Sequence, residues 1–397
     1  MKWGFGKRNS GAIAKNLSTL WLLKGLESAW FPIPVIVLFY ESQGLPLSQA
    51  VLLKAILSGA IFVGELPSGY FADRFGRKNS LALGAFLWLL GWLIYCTQGS
   101  FGWFAAAEIL AGIGGSLMSG ADSAIAYDSL LYLGRTREYA PWEGKGVAIM
   151  GITEAVCGLG GAWVAQWDLR YPFYLQTLCI VGYLALALTV QEPPRKHREK
   201  IPGWRALLPQ VRTIFQERRS LQWLLLFSAS LSCGSFLIVW VSQEYLVERG
   251  LSLTQLGWAW LLFHGAMAFV SWRVDQLMRW FSFQNLFALL PGLMAIAYST
   301  MGLVQNLWGM GLIVVVYLVR GCNTPLVLGY LNERIPSNLR ATLISLNSFT
   351  FRLLFIPLAA IANGATTLWD LNGSLMLVGI VVGAASFYGY WKLRPDL

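Results

Sequence analysis

The chain has 397 residues, 56% of them hydrophobic and only 13% charged, with a formal net charge of +10. A soluble domain carries about 25% charged residues, so this composition excludes an ordinary water-soluble enzyme or binding module. The five cysteines have no CxxC spacing and there are only two histidines, so neither a disulfide framework nor a zinc site is indicated.

Residues 1–16 are polar and basic (Lys2, Lys7, Arg8, Lys15). The apolar run after them, 18–40, is too long for a signal-peptide core and lacks a small-residue cleavage site, so it reads as a retained first span. It carries Lys24 and, one turn on along the same helical face, Glu27. Pro32 and Pro34 interrupt its hydrogen-bond ladder and are expected to bend it. The second and third runs cover 48–71 and 79–98. Between them stands Gly69-Tyr-Phe-Ala-Asp73-Arg74-Phe-Gly76-Arg77-Lys78, a cluster too costly to place in lipid, so it must be a hairpin at a water interface. Runs four to six, 101–127, 146–166 and 171–190, hold Glu108, Asp122 and Glu154, with Asp128 at the end of the fourth. Their glycine patterns, Gly112-x-Gly114-Gly115 and Gly158–Gly161, suit close helix contact. They are not phosphate loops, since no strand precedes them and no Gly-Lys-Ser/Thr follows.

A polar, basic, proline-bearing stretch, 191–220, then divides the chain. Six further runs follow, near 221–243, 254–274, 283–303, 307–330, 340–363 and 372–391, with His264, Arg320 and Arg352 inside them. A span needs roughly 20 apolar residues. The expectation is an all-α membrane protein of twelve transmembrane helices: an N-terminal six-helix bundle over 1–190, a cytoplasmic linker over 191–220 and a C-terminal bundle over 221–397. Arg170 and Arg249 are the only cationic side chains on one side of such a chain. Lys24, Lys54, Arg320 and Arg352 lie within spans, and all other Lys and Arg fall on the opposite side. The positive-inside bias places that side, both termini and the linker in the cytoplasm. It also accounts for the basic charge by contact with anionic headgroups, with no nucleic-acid partner. Asp73-x-x-x-Arg77 after the second run and Asp275-x-x-x-Arg279 after the eighth have equal spacing at equivalent places, as a duplicated unit predicts.

The hairpin Gly69–Lys78, in its place after the second run, resembles the signature of the major facilitator superfamily. The resemblance covers the whole chain and implies two pseudo-symmetric six-helix bundles rocking about a midplane cavity. Gly69, Asp73, Arg74, Gly76, Arg77 and Lys78 would then form the gating hairpin, with Asp73 near the end of span eleven and Arg77 near Asp128. The segments Glu65–Lys78, Ser119–Leu130 and Ile335–Thr342 are similar to an exporter-like bacterial branch. Two departures stand out. Glu108-Ile-Leu-Ala-Gly112 lacks the arginine that drug/proton antiporters often carry in span four, and Val156–Gly161 lacks their Gly-Pro.

Ionisable groups within a span cost at least ~2.5–3.5 kcal/mol each on insertion scales, so each needs a reason. Counting from the span ends places Glu27, Glu154, His264, Arg320 and Arg352 near the midplane. Glu27 and Glu154 are candidate proton carriers, because burial and nearby cations pull a carboxyl's protonation in opposite directions. His264 is a third candidate, against a plain packing role. Arg320 and Arg352, with Lys24 and Glu108, are candidates for substrate binding, the guanidinium forks suiting an anionic or carboxylate-bearing solute. The competing reading is static pairing, Glu27 with Lys24 or with Arg320. Asp122 and Asp128 are expected to face the basic hairpin. Trp88, Trp92, Trp103, Trp240, Trp258 and Trp260 are expected to form interfacial belts.

An intramembrane aspartyl protease would pair a Tyr-Asp with a Gly-x-Gly-Asp. Tyr127-Asp128 is present, but Gly161 stands where the second acid belongs. No His-Glu-x-x-His, no converging Ser/His/Asp set and no nucleotide-binding loop occurs. The sequence therefore points to a monomeric, proton-coupled carrier of a small amphiphilic or anionic solute in the cell (inner) membrane. It acts by efflux in the first instance, uptake being the alternative, and it needs no cofactor. A non-transporting sensor is disfavoured by the midplane charges.

Overall fold

The first apolar run does not form one helix. In the computed structural model, which describes residues 10–97, 99–194, 219–334 and 337–396, helix α1 (Ser10–Glu27) stops ahead of Pro32. The chain resumes after a 3-10 turn (Ile33–Val35) as α2 (Ile36–Ser42). A residue that precedes proline is pushed out of the α region, and Phe31 and Ile33 both do. Irregular backbone at membrane depth survives only where the protein supplies partners. Here the Phe31 N–H donates to Oε1 of Gln176 at 3.3 Å, and the Val37 N–H donates to Oε1 of Gln243 at 2.9 Å.

The helices that follow are α3 (Leu47–Phe75), α4 (Arg77–Tyr95), α5 (Phe101–Met118), α6 (Ala121–Tyr132), α7 (Tyr139–Ala165) and α8 (Tyr171–Thr189). The fourth apolar run is thus two helices. Gly120, at φ 72°, takes the left-handed conformation that ends α5 and starts α6. Beyond the linker come α9 (Arg219–Val247), α10 (Leu253–Trp272), the short α11 (Val274–Trp280), α12 (Phe283–Met301), α13 (Gly309–Arg334), α14 (Ser337–Leu368) and α15 (Leu371–Leu393). Among the described residues 10 stretches are long and apolar enough to cross a membrane. The expected first span is missing from them because it is broken, and the ninth (α12) because Gln284, Asn285, Ser299 and Thr300 dilute its apolar character. The protein is an all-α, multi-pass membrane protein.

The chain packs as two compact units, one of Met1–Ile33 with Ala60–Gly203, the other of Pro34–Gly59 with Trp204–Leu397. In the first, α4 and α5 are nearly in backbone contact: a Cβ on Gly84 would lie 2.6 Å from the Gly114 carbonyl oxygen. Gly161 of α7 lies against the broken stretch, with Phe31 backbone where its Cβ would be. Both glycine patterns therefore serve close packing, as expected. In the second unit α9 is buried along most of its length and packs against α14 and α15. Buried Lys54 donates to the Tyr40 hydroxyl at 3.1 Å and lies 4.8 Å from the Trp240 ring.

The tryptophans divide in a way the sequence did not indicate. Trp103 and Trp258 are exposed, but Trp88, Trp92, Trp240 and Trp260 are buried and belong to no belt. Trp30 packs edge-on against Trp88, with centroids 5.4 Å apart. The exposed positions are filled instead by Trp163, Trp167, Trp272, Trp280, Trp308, Trp369 and Trp391. Most of the 191–220 linker, the side chains of Asp73 and Asp275, and those of 331–345 lie outside the described residues, so the Asp73 contact and the Asp275 repeat are not described.

Candidate functional site

Helices α1, α6, α7 and α8 of the first unit converge on a buried polar set. At its centre is Lys24, only 5% exposed. Its Nζ lies 2.7 Å from Oδ2 of Asp122 and 3.0 Å from Oε1 of Glu143, and donates to Oγ of Ser123 at 3.3 Å. An ammonium has three N–H donors, so these three acceptors use all of them. Ser123 Oγ also donates to the Glu143 carboxylate at 3.2 Å, closing the ring. Gly146 makes the approach possible: a Cβ there would stand 2.7 Å from Cδ of Lys24. Asp122 sits in the first turn of α6, where the helix N-terminus favours negative charge. Trp142 lies beneath the amine, 5.8 Å from Nζ, and stacks on Trp21 at 6.0 Å.

Lys24 therefore does not pair with Glu27, its neighbour one turn along, and Asp122 does not face the basic hairpin. Helical Cα–Cβ bonds tilt toward the N-terminus, which carries the Lys24 side chain away from Glu27 and toward the start of α7. Glu27 ends α1 and is half-buried, within electrostatic reach of Asp122 and Lys24. The Tyr183 hydroxyl of α8 is wholly buried in the same neighbourhood. Glu154 is half-buried on α7, beside Thr153, whose Oγ1 would lie 3.7 Å from a Cβ on Gly25.

A second polar group lies at the hairpin. Arg77 bridges the Asp128 carboxylate and donates to the Ala124 carbonyl at 2.8 Å. Glu192, just after α8, caps the start of α4 by accepting from the N–H groups of Arg77 (3.1 Å) and Lys78 (2.8 Å), next to Gly76 at φ 100°. Arg74 points elsewhere, onto Tyr70, and Gly69 is exposed.

The remaining candidates are dispersed. Glu108 is buried and accepts from the Tyr95 hydroxyl at 2.6 Å, a pairing between α4 and α5. In the second unit His264 is buried, with Nδ1 3.0 Å from the Trp260 carbonyl and its ring 4.0 Å from that indole. Arg320 is half-buried, its guanidinium 5.8 Å from the Tyr317 ring, and Arg352 is half-buried on α14. Sequence reasoning missed Glu143, Glu192 and Tyr183. Glu143 lies outside the expected fifth run, 146–166, but α7 starts earlier, at Tyr139, and carries it. Among the described residues no group of three or more His, Cys, Asp or Glu side chains could hold a metal ion.

Comparison with known proteins matches residues 28–360 to the model of the Major Facilitator Superfamily. The MFS-type transporter YxaM of Bacillus subtilis is 24% identical over 347 residues, covering 82% of each chain. Among solved structures, the nucleoside transporter NupG superposes with a TM-score of 0.73 at 11% identity, over 97% of this chain and 98% of that one. A D-xylose-proton symporter gives 0.72 at 15% identity, over 98% of both. At these identities the structural likeness speaks for the fold.

Proposed function

This chain belongs to the major facilitator superfamily and is a membrane transporter, and we propose that it couples solute movement to protons through the buried set on α1, α6, α7 and α8. One observation carries the reading. Lys24 has all three donors taken by Asp122, Glu143 and Ser123, so Glu27, within electrostatic reach of Lys24 and Asp122, is a further carboxyl that the ammonium does not bond. A carboxyl within a span that meets water in one state and a charged neighbour in the other can take up and release a proton. In alternating access it would bind that proton on one side of the membrane and release it on the other. One charge moved through 100 mV supplies ~2.3 kcal/mol, enough to bias such a cycle severalfold.

Glu154 and His264 are secondary candidates for the proton path. The cargo we propose is a small amphiphilic or anionic solute, with Arg320 and Arg352 as its cationic contacts. Efflux rests on the resemblance of Glu65–Lys78 and Ser119–Leu130 to an exporter-like branch. The Arg77–Asp128 pair with the Glu192 cap is proposed as the gate latch, in the inner membrane with both termini cytoplasmic. The test is solute flux in proteoliposomes across a panel of solutes, with and without an imposed pH gradient. Glu27→Gln should transport without responding to the gradient. Gradient-driven flux that persists in this variant refutes the assignment.

A further inference from the structure

Four buried polar atoms of the first unit have no hydrogen-bond partner among the described residues: Nε1 of Trp92, Nε of Arg170, Nε2 of Gln176 and the hydroxyl of Tyr183. The Tyr183 side chain is 0% exposed. A hydroxyl left unpaired in a protein interior forfeits its hydration, so native structures nearly always supply a partner. Glu27 and Asp122 lie within electrostatic reach of it. The backbone explains why. A Cβ on Gly182 would lie 3.7 Å from Cδ1 of Leu26, so α8 meets α1 one residue before Tyr183 and one before Glu27. The two side chains thus leave adjacent points of one helix contact.

We propose that Tyr183 is the donor that sets how tightly Glu27 holds its proton, a positioning residue for the coupling carboxyl. The inference rests on the proton-carrier reading of Glu27. The two groups are not bonded in this structure; with Glu27 ionised, a side-chain rotation brings its carboxylate onto the phenol O–H, which donates to it and satisfies both groups. With Glu27 protonated, the carboxyl O–H has Tyr183 Oη as an available acceptor, and Tyr183 keeps its own proton throughout. Lys24 is unavailable for this task, because Asp122, Glu143 and Ser123 hold it. The other titratable groups at the site are Asp122 from α6, with Tyr139 and Glu143 from α7. Of these, Tyr139 is directed to Glu143 and Ser123. Tyr183 is a neutral donor on the helix that meets α1 at Leu26, one residue before Glu27.

The experiment is a pH titration of the purified full-length protein followed by difference infrared spectroscopy of protonated carboxyl C=O groups. The band that Glu27→Gln abolishes identifies Glu27, and no substrate is needed. Tyr183→Phe keeps the ring and its packing, and its thermal midpoint should stay near that of the parent. Hydrogen bonds to charged groups are the stronger class. Losing one from the ionised form should raise the proton affinity of Glu27 roughly tenfold, moving the band's midpoint up by about one pH unit. Asp122→Asn should move it down, because a neighbouring negative charge is removed. A Glu27 band whose midpoint is unchanged or lowered in Tyr183→Phe overturns this inference and leaves the proton-carrier reading intact. If Glu27→Gln removes no titrating band, both readings fall.

Discussion

Replacing Lys24 with methionine keeps the length of the side chain and removes its charge. In the parent, the amine neutralises two carboxylates 2.7 and 3.0 Å away, with side-chain exposures of 6% for Lys24 and 10% for Asp122. Breaking a buried pair from one side leaves an uncompensated charge and costs ~3–5 kcal/mol. At ~2–4 °C per kcal/mol for a unit of this size, the thermal midpoint in detergent should fall by roughly 10 °C. Asp122→Asn alone should cost less, since Glu143 and Ser123 still hold the amine. The double variant should then be less destabilised than the two singles combined, by ~1–3 kcal/mol, because contacting residues are not additive. A Lys24→Met protein as stable as the parent, or strictly additive losses, would show that the set is not held together by charge.

Two further substitutions test the packing and the hairpin. Arg77→Gln breaks a pair that is about one-fifth exposed at each side chain. Charge-assisted hydrogen bonds of this kind are worth ~1.5–3 kcal/mol, so the thermal midpoint should fall by only a few degrees while flux in proteoliposomes falls steeply, and a collapse of both would mark a folding role. Gly161→Ala places a Cβ on the Phe31 carbonyl, which belongs to backbone and cannot swing away. Overpacking of this kind costs ~1–3 kcal/mol or more, so expression and thermal midpoint should both drop. Gly151→Ala, which meets open space, is the control and should behave as the parent.

Much of the fold was legible because lipid cannot solvate ions or open backbone. That single constraint puts the charges of Gly69–Lys78 at a water interface and marks 191–220 as polar, although only Gly76 of that stretch lies outside a helix, α3 running to Phe75 and α4 starting at Arg77. It also makes the Pro32–Pro34 break in the first span foreseeable, although not its extent, which depended on Gln176 and Gly161 satisfying and accommodating the exposed backbone. The tryptophans were misassigned because burial of an indole is decided by what packs on it, and Trp30 against Trp88 is a contact between distant segments.

The sequence alone determined that charged side chains stand in spans, since their cost in hydrocarbon is local and depends on no neighbour. It could not determine what each charge meets. Along the helix, Lys24 and Glu27 share a face and look like partners. Tertiary packing gave Lys24 instead to Glu143, 119 residues away, and to Asp122. The side chain leans toward the start of its helix and Gly146 leaves room for it to pass, so geometry across α1, α6 and α7 outweighed proximity in the chain.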